Sequence, residues 1–461
     1  MKILYIGWGF SPFRMGGSLR YAESVMEGMA ARGNTVGYFC SGRFSLLPRR
    51  ISTLKTWSRG AVTMFEVRDS PIVPGWGLGT KNPRIEVECP PLRVHLETVL
   101  AEFRPEIVHV HDLHAMSADL VCAVKARGIP VLYSLHDYGP LCPTFFLFRH
   151  DRVVCEDYRD GEECVKCSAQ APRDAFAFRC ALGAHSLFGH RGGAVISVVS
   201  SAAKAFLRKA SAGGEARDAG DAAGFVARRK AFVEALSSAD LLLPVSRRVA
   251  NLYSAYGVAG PMVRVLHPLL PHHEKIRRVG RAPRSDGKVR FGYLGALMPA
   301  KGIEVLLEAY GRMERKGDAE LRLHGPCDAR YRQELARRFP EGMAGYRGAF
   351  RPDQLQGIRS GIDVGVFPSV CEETYGMVAV EFLRAGIPVI ASRIGGIPEV
   401  VLEGEGGILF PPGDPAALSS ILDALAASPS RIAEMGRNGR PGERFEAHLD
   451  RVEGIYVEAI G

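Results

Sequence analysis

Two glutamates eight residues apart carry the clearest chemistry in this chain. Glu373 falls in a polar loop after the apolar run Asp363–Phe367 and Pro368-Ser369; Glu381 falls on an amphipathic stretch that starts near Gly376. The N-terminus of a helix leaves backbone N–H groups without intrahelical partners, and its dipole favours negative charge. A diphosphate docked there would be flanked by Glu373 and Glu381, which can accept hydrogen bonds from sugar hydroxyls. The plain alternative is one capping and one solvated glutamate. Pro368, Gly376 and Gly386 punctuate the same unit and favour the binding reading.

Other candidates stand apart in sequence. After the run Lys2–Gly7, Gly7-x-Gly9 leads to Pro12 and then to Gly16-Gly17 before a helical pattern. This is not a complete dinucleotide fingerprint, and the next strand ends Phe39-Cys40-Ser41-Gly42 with no acid to hold a ribose. Gly16-Gly17 still lets a backbone approach an anion, or is a tight turn. His109, His111, Asp112 and His114 cluster at one strand end, and His136-Asp137 at the next. Alternation puts His109 and His111 on one side of their strand, but the carboxylate set for a metal is unconvincing. His136 lies where such a sheet presents residues to a ligand, against the plain reading of a core or surface histidine. Cys142, Cys155, Cys164 and Cys167 fall within 26 residues, with Cys164-x-x-Cys167 as a half-site. Four close thiols suggest structural zinc, against buried free thiols.

These residues must be positioned by a large α/β framework. The chain has 461 residues, 46% hydrophobic and 24% charged, enough for two or three domains without disulfides. Ten short apolar runs read as buried strands, from Lys2–Gly7 and Thr35–Cys40 to Pro388–Ser392 and Gly407–Phe410. Helical spacing lies between them, as in Ala22, Val25, Met26 and Met29. The pattern predicts parallel sheets covered on both faces. It occurs twice, which places a first domain at 1–270, a linker at 271–288 and a second domain at 289–461, facing across a cleft. Residues 142–235 read as a cysteine-rich, mostly helical insertion.

The net charge is +9. Residues 204–230 carry seven Lys or Arg against three acids, and residues 274–290 seven against two, which accounts for the whole excess. Such local patches argue against a nucleic-acid partner and suit phosphates or an anionic membrane surface. Arg228, Arg229 and Lys230 beside Phe225, Val226 and Phe232 resemble a surface-lying helix. No run approaches the roughly 20 apolar residues of a membrane span. The expected location is the cytoplasm, with peripheral contact on the inner membrane face.

The second half resembles glycosyltransferase family 4. The resemblance is carried by Glu373-x7-Glu381, Tyr375-Gly376, Glu381-Phe-Leu-Arg-Ala-Gly-Ile-Pro-Val and Gly395-Gly396-Ile397-Pro398-Glu399. Pro12 to Gly17, Gly295 to Gly302, the turn ending at Asp414 and the terminal Ile455-Tyr456 helix extend it over nearly the whole chain. It implies the GT-B fold, two facing Rossmann-like doubly wound domains. It also implies a retaining transfer from a nucleotide-diphosphate sugar to a carbohydrate or lipid-linked acceptor, with no catalytic cofactor, in glycan, exopolysaccharide or glycolipid synthesis. By resemblance Glu373 touches the transferred sugar and Glu381 the ribose. Gly376, Met377 and Val378 hold the diphosphate, Lys301 neutralises it, Gly17 lines the cleft and His136 contacts the donor sugar. The family's usual Arg after the strand glycine is absent, because Gly295 is followed by Ala296. Two rivals stay open: a nucleotide-sugar epimerase, since fold does not fix function, and, motivated by that departure, a nucleotide-sugar-binding protein that has lost its chemistry.

Overall fold

The computed structural model describes residues 1–14, 16–47, 51–73, 75, 77–156, 160–171, 179–180, 182–184, 221–279, 286–437 and 442–461. Half of the insertion and most of the basic stretch 204–230 therefore lie outside the described residues.

Two sheets form. The first has eight strands: β1 (Lys2–Gly7), β2 (Thr35–Ser41), β3 (Thr53–Arg59), β4 (Val62–Arg68), β5 (Ile107–Val110), β6 (Val131–Leu135), β7 (Leu241–Pro244) and β8 (Met262–Val263). Their order is β3-β4-β2-β1-β5-β6-β7-β8, parallel except for the β3–β4 hairpin. The second has β9 (Val289–Leu294), β10 (Ala319–His324), β11 (Val364–Phe367), β12 (Val389–Ser392) and β13 (Gly407–Phe410). Its order is β10-β9-β11-β12-β13, all parallel. The central strands are buried throughout, as in Ile3, Leu4, Tyr5 and Ile6. Helices cover both faces, so the alternation of apolar runs and helical spacing has its expected physical cause.

Three strands escape the sequence pattern. β3 is an edge strand with a polar face, Thr53-Leu-Lys-Thr-Trp-Ser-Arg59. Its partner β4 carries a fully buried glutamate, Glu66, held by Arg43 and by Trp57 Nε1. β8 is two residues long.

The terminal helix Phe445–Ile460 corrects the expected boundary of the second domain. It packs on the first sheet: Phe445, Leu449, Val452, Ile455 and Tyr456 join a core with Ile3, Tyr5, Tyr21 and Met29. Arg32 ties the same helix to Glu446, Asp450 and Glu453. By packing, residues 445–461 belong with 1–270. The tightest contact is Leu449 against Gly28, where a Cβ would lie 2.5 Å from the leucine.

Leu449→Ala should remove a fully packed side chain and cost about 2–5 kcal/mol, read as a lower denaturation midpoint. Unchanged stability would mean that the helix is not docked as described.

Candidate functional site

The two sheets face each other with their strand ends toward one cleft. A cavity of about 450 Å³ opens there. The first domain lends it Gly16, Gly17, Tyr21, His114, His136 and Asp137; the second lends Lys301, Ser369, Glu373, Gly376, Met377 and Val378. Residues from five separate stretches thus meet at one place. A second cavity of about 460 Å³ lies wholly on the first domain. It shares His114, His136, Asp137, Phe145 and Phe146 with the first, and adds Trp8, Phe13, Arg14, Asp112 and Tyr253.

Two helix starts aim at the cleft. Gly376 caps the helix Met377–Arg384 with φ 98°, a left-handed geometry that favours glycine. The turn directs the first N–H groups of the helix, those of Met377 and Val378, toward the cavity. Across the cleft, Gly17 opens the helix Gly17–Ala31, and a Cβ there would meet nothing within 4 Å. Space for a ligand begins at that backbone.

Lys301 and Glu373 form the charged centre. Lys301 Nζ donates to Glu373 Oε1 at 2.6 Å, and Ser369 Oγ donates to the same oxygen at 2.6 Å. Burial alone would lower the Lys301 pKa, but the Glu373 carboxylate and then Cys371 outweigh it and raise it. The amine stays charged. Among the described residues, Lys301 is the one Lys or Arg lining this cavity. No second such side chain lining it takes the place of the arginine missing at Ala296.

His136 is neutral. Burial pushes its pKa down to about 4, with Asp137 opposing. Its Nε2 lies 3.0 Å from His111 Nδ1, and the rings stack at 8°. His111 in turn packs at a tilt of 33° on His109, whose two ring nitrogens are spent on Tyr456 Oη at 2.6 Å and Ser134 Oγ at 2.8 Å. His109 and His111 share one side of β5 as alternation predicts. They serve as a buried polar backing for His136; both nitrogens of His109 and Nδ1 of His111 have protein partners, while His111 Nε2 has none.

His114 behaves oppositely. Burial would lower its pKa, but Asp137, 3.3 Å away, and then Asp112 raise it to about 9. A cation therefore sits between the two cavities.

Glu381 stands outside the cavity lining. Its Oε1 accepts from His272 Nε2 at 2.9 Å, and Arg359 lies 3.7 Å from Oε2. Burial would raise its pKa; His272 and Arg359 win and lower it. His272 and Arg359 also line a neighbouring cavity of about 290 Å³ with Arg20, Lys275, Pro352 and Asp353. The carboxylate expected at the ribose thus lies behind the helix start, gripped by the chain that joins the domains. Nothing in the spacing of His272-His273 singled them out, because they fall where a linker was expected.

A clamp across the cleft was equally illegible. Glu399 accepts from the backbone N–H groups of Arg247 and Arg248 at 2.9 Å each, capping a first-domain helix from the second domain. Arg248 reaches back to Glu372 at 3.1 Å.

Among the described residues, one trio of His, Cys, Asp or Glu places its ligand atoms within 4.8 Å of one another: His272, His273 and Glu381. Arg359 and Arg384 bring positive charge to that spot, which opposes a cation. No disulfide joins Cys142, Cys155, Cys164 and Cys167, and the four lie in one neighbourhood.

The membrane-lying helix needs correction. In the helix Ala222–Ser238, Phe225 and Phe232 are core residues. Arg228 is 4% exposed and donates to Glu86 and to the Gly139 carbonyl. Arg290, from the second basic stretch, is held by Asp286 and Glu320. Two of the three apolar residues that were to meet lipid, Phe225 and Phe232, are thus spent on the protein core, while Val226 stays exposed. No helix among the described residues is long and apolar enough to cross a membrane.

Two parallel α/β domains facing across such a cleft form the GT-B fold. Residues 15–211 match the family model Glycosyltransferase Family 4, and residues 288–428 match Glycosyl transferases group 1. Each half of the chain thus carries a glycosyltransferase match, Family 4 on the first domain and group 1 on the second. The chain is 31% identical over 269 residues to D-inositol 3-phosphate glycosyltransferase of Corynebacterium diphtheriae, covering 53% of this chain and 62% of that protein. It is 30% identical over 165 residues to MMP alpha-(1->4)-mannosyltransferase of Mycolicibacterium hassiacum, covering 34% and 39%. The matched segments thus span less than two thirds of these curated relatives. Among solved structures, sucrose-phosphate synthase from Thermosynechococcus elongatus superposes with a TM-score of 0.65 at 18% identity, covering 99% and 98% of the two chains. Anabaena HepE in complex with UDP-glucose gives 0.58 at 15%, covering 100% and 99%.

The His114–Asp137 pair makes stability pH-dependent. The folded pKa lies above the ordinary value, so its contribution is complete below about pH 6.5 and is lost as pH rises through about 9. Wild type should lose on the order of 2–3 kcal/mol more than His114→Gln between pH 6 and pH 10. Parallel melting-temperature profiles for the two proteins would refute the pairing.

Proposed function

We propose that the chain transfers a sugar from a nucleoside-diphosphate sugar in the 450 Å³ cavity to a hydroxyl of a carbohydrate or lipid-linked acceptor in the adjoining 460 Å³ cavity, with retention. The observation that carries this is the convergence of Lys301, Glu373 and the Gly376–Val378 helix start with Gly17 and His136 on one cavity.

The chemistry follows from the charges. As the bond from the anomeric carbon to the diphosphate breaks, negative charge grows on the leaving oxygen and positive charge on the sugar. The helix start and Lys301 stabilise the first without a catalytic metal. Lys301 must trade Glu373 for the diphosphate, which releases the carboxylate to accept hydroxyls of the sugar. A neutral His136 can hydrogen-bond the sugar without placing a like charge against the developing cation. The acceptor oxygen bonds the anomeric carbon on the face the diphosphate leaves, and its proton goes to the departing phosphate oxygen. Glu381 serves the ribose, and donor entry then exchanges its His272 partner for a ribose hydroxyl.

Glu373→Gln and Lys301→Ala should lower kcat by about 10²–10³-fold, since both act where charge develops. His136→Ala should cut turnover with little change in nucleotide affinity. Glu381→Gln should mainly raise donor KM. Steady-state kinetics, after a thermal-shift screen of nucleotide sugars has identified the donor, check all four. Wild-type kinetics in both Gln variants would sink the site assignment. Nucleoside-diphosphate sugar isomerised without acceptor would point to the epimerase, and binding without turnover to a lapsed enzyme.

A further inference from the structure

The turn after His136 is an unusual piece of chain. Between Tyr138 and Cys155 three non-glycine residues, Phe145, Leu147 and Arg152, adopt left-handed φ of 71°, 47° and 69°. Such conformations persist only where surrounding structure over-determines them. Regular structure supplies little of that: one bridge between Phe148 and Val154, and the six-residue helix Glu162–Cys167. Yet this turn reaches the chemistry. Phe145 and Phe146 line both cavities. Phe145 lies 4.0 Å from the His114 ring, and the Phe146 ring lies 5.9 Å from Lys301 Nζ.

The fold gathers four cysteines under the turn. Cys142 closes its first bend, with its N–H on the Tyr138 carbonyl at 2.7 Å. Cys155 follows the bridge, its N–H on the Leu147 carbonyl at 2.7 Å. Cys164 and Cys167 occupy successive positions on one helix face. Cys142, Cys155 and Cys164 are buried, at 7%, 8% and 5% exposure, in the same apolar cluster. His150 Nδ1 lies 3.9 Å from the Cys167 sulfur. Arg149 and Arg228 put positive charge near Cys155 and Cys164, which suits a site that becomes anionic.

The geometry points to a structural zinc site formed by Cys142, Cys155, Cys164 and Cys167, which staples the turn carrying Phe145 and Phe146 against the catalytic cleft. Each thiol gives its proton to solvent as a zinc–sulfur bond forms, leaving a site of net charge −2. Among the described residues no three of these sulfurs lie within 4.8 Å of one another, whereas in a closed site Zn–S bonds of about 2.3 Å hold them roughly 3.8 Å apart; binding must therefore draw them in. Four thiolates select zinc over the oxygen-loving cations. The metal sits beside the reaction and does not enter it.

The full chain, purified without chelator or added metal, should carry about one zinc per molecule by elemental analysis. Reconstitution with Co²⁺ should give the intense visible bands of a tetrahedral tetrathiolate. Protease mapping after alkylation should find these four cysteines protected until zinc is removed, while Cys122, exposed on the surface, reacts at once. Cys155→Ser and Cys164→Ser should each lose the metal and lower the melting temperature; Cys327→Ser should do neither. Should the Ser variants fail to fold, wild-type metal content and thiol mapping still decide. Zinc-free protein with four freely reactive thiols, two disulfides among them, or a cobalt spectrum dominated by nitrogen and oxygen ligands would each overturn the site.

Discussion

The active cleft depends on one close backbone approach. The peptide of Glu373 lies directly against Gly395 and Gly396: a Cβ on Gly395 would sit 2.2 Å from the Glu373 carbonyl oxygen, and one on Gly396 2.3 Å from that of Thr374. The Gly396 N–H donates to the Glu373 carbonyl at 2.7 Å. No side chain fits between the two segments. This fixes where the Glu373 carboxylate stands, hence where Lys301 rests, and where the helix beginning at Met377 points its N–H groups. The same glycine pair reaches the other domain, since Gly396 lies against Ser246 and Glu399 caps the helix that Ser246 opens. A two-glycine contact thus sets both the donor-side geometry and the angle at which the acceptor side meets it.

Within that frame, burial and pairing assign opposite roles to similar side chains. His136 and His114 both line the cleft, and burial pushes both toward neutrality. At His136 burial outweighs the opposing pull of Asp137 and the charge is lost; at His114 the pull of Asp137 and Asp112 outweighs burial and the charge is kept. A neutral group thus lines the cleft shared by the two domains, and a positive group stands on the side of the second cavity. The arrangement costs no net charge in the core, because each ionised member is paired before any ligand arrives.

Much of this was readable from residue types alone, for reasons that also explain the failures. Near-continuous apolar runs such as Lys2–Gly7 and Val289–Leu294 can only be central parallel strands, so both sheets were legible. β3 and β4 were not: an edge strand needs no apolar face, and a buried Glu66 is tolerated only because Arg43 and Trp57 answer it from elsewhere. The Glu373 loop and the Gly376 helix start announced themselves through local punctuation, and their partners lie nearby in space for the same local reason. Glu381's partners, and the Glu399 cap, depend on how two domains meet. No window of sequence contains that information. Arg228 misled because its charge was counted without its burial against Glu86 and Gly139.

The terminal helix shows how the two domains come to act as one. Its chain leaves the second domain and returns to the first, where Tyr456 bonds His109 and His448 Nε2 meets Tyr21 Oη at 2.9 Å. Tyr21 packs edge-on against His136 and lines the donor cavity. The last residues of the sequence therefore stand directly behind the first catalytic candidate. A relative movement of the domains must strain either this return segment or the segment around His272, which grips Glu381. One connection backs Tyr21, which lines the cleft, and the other holds Glu381 behind the helix that opens on it, so both bear on the geometry of the cleft.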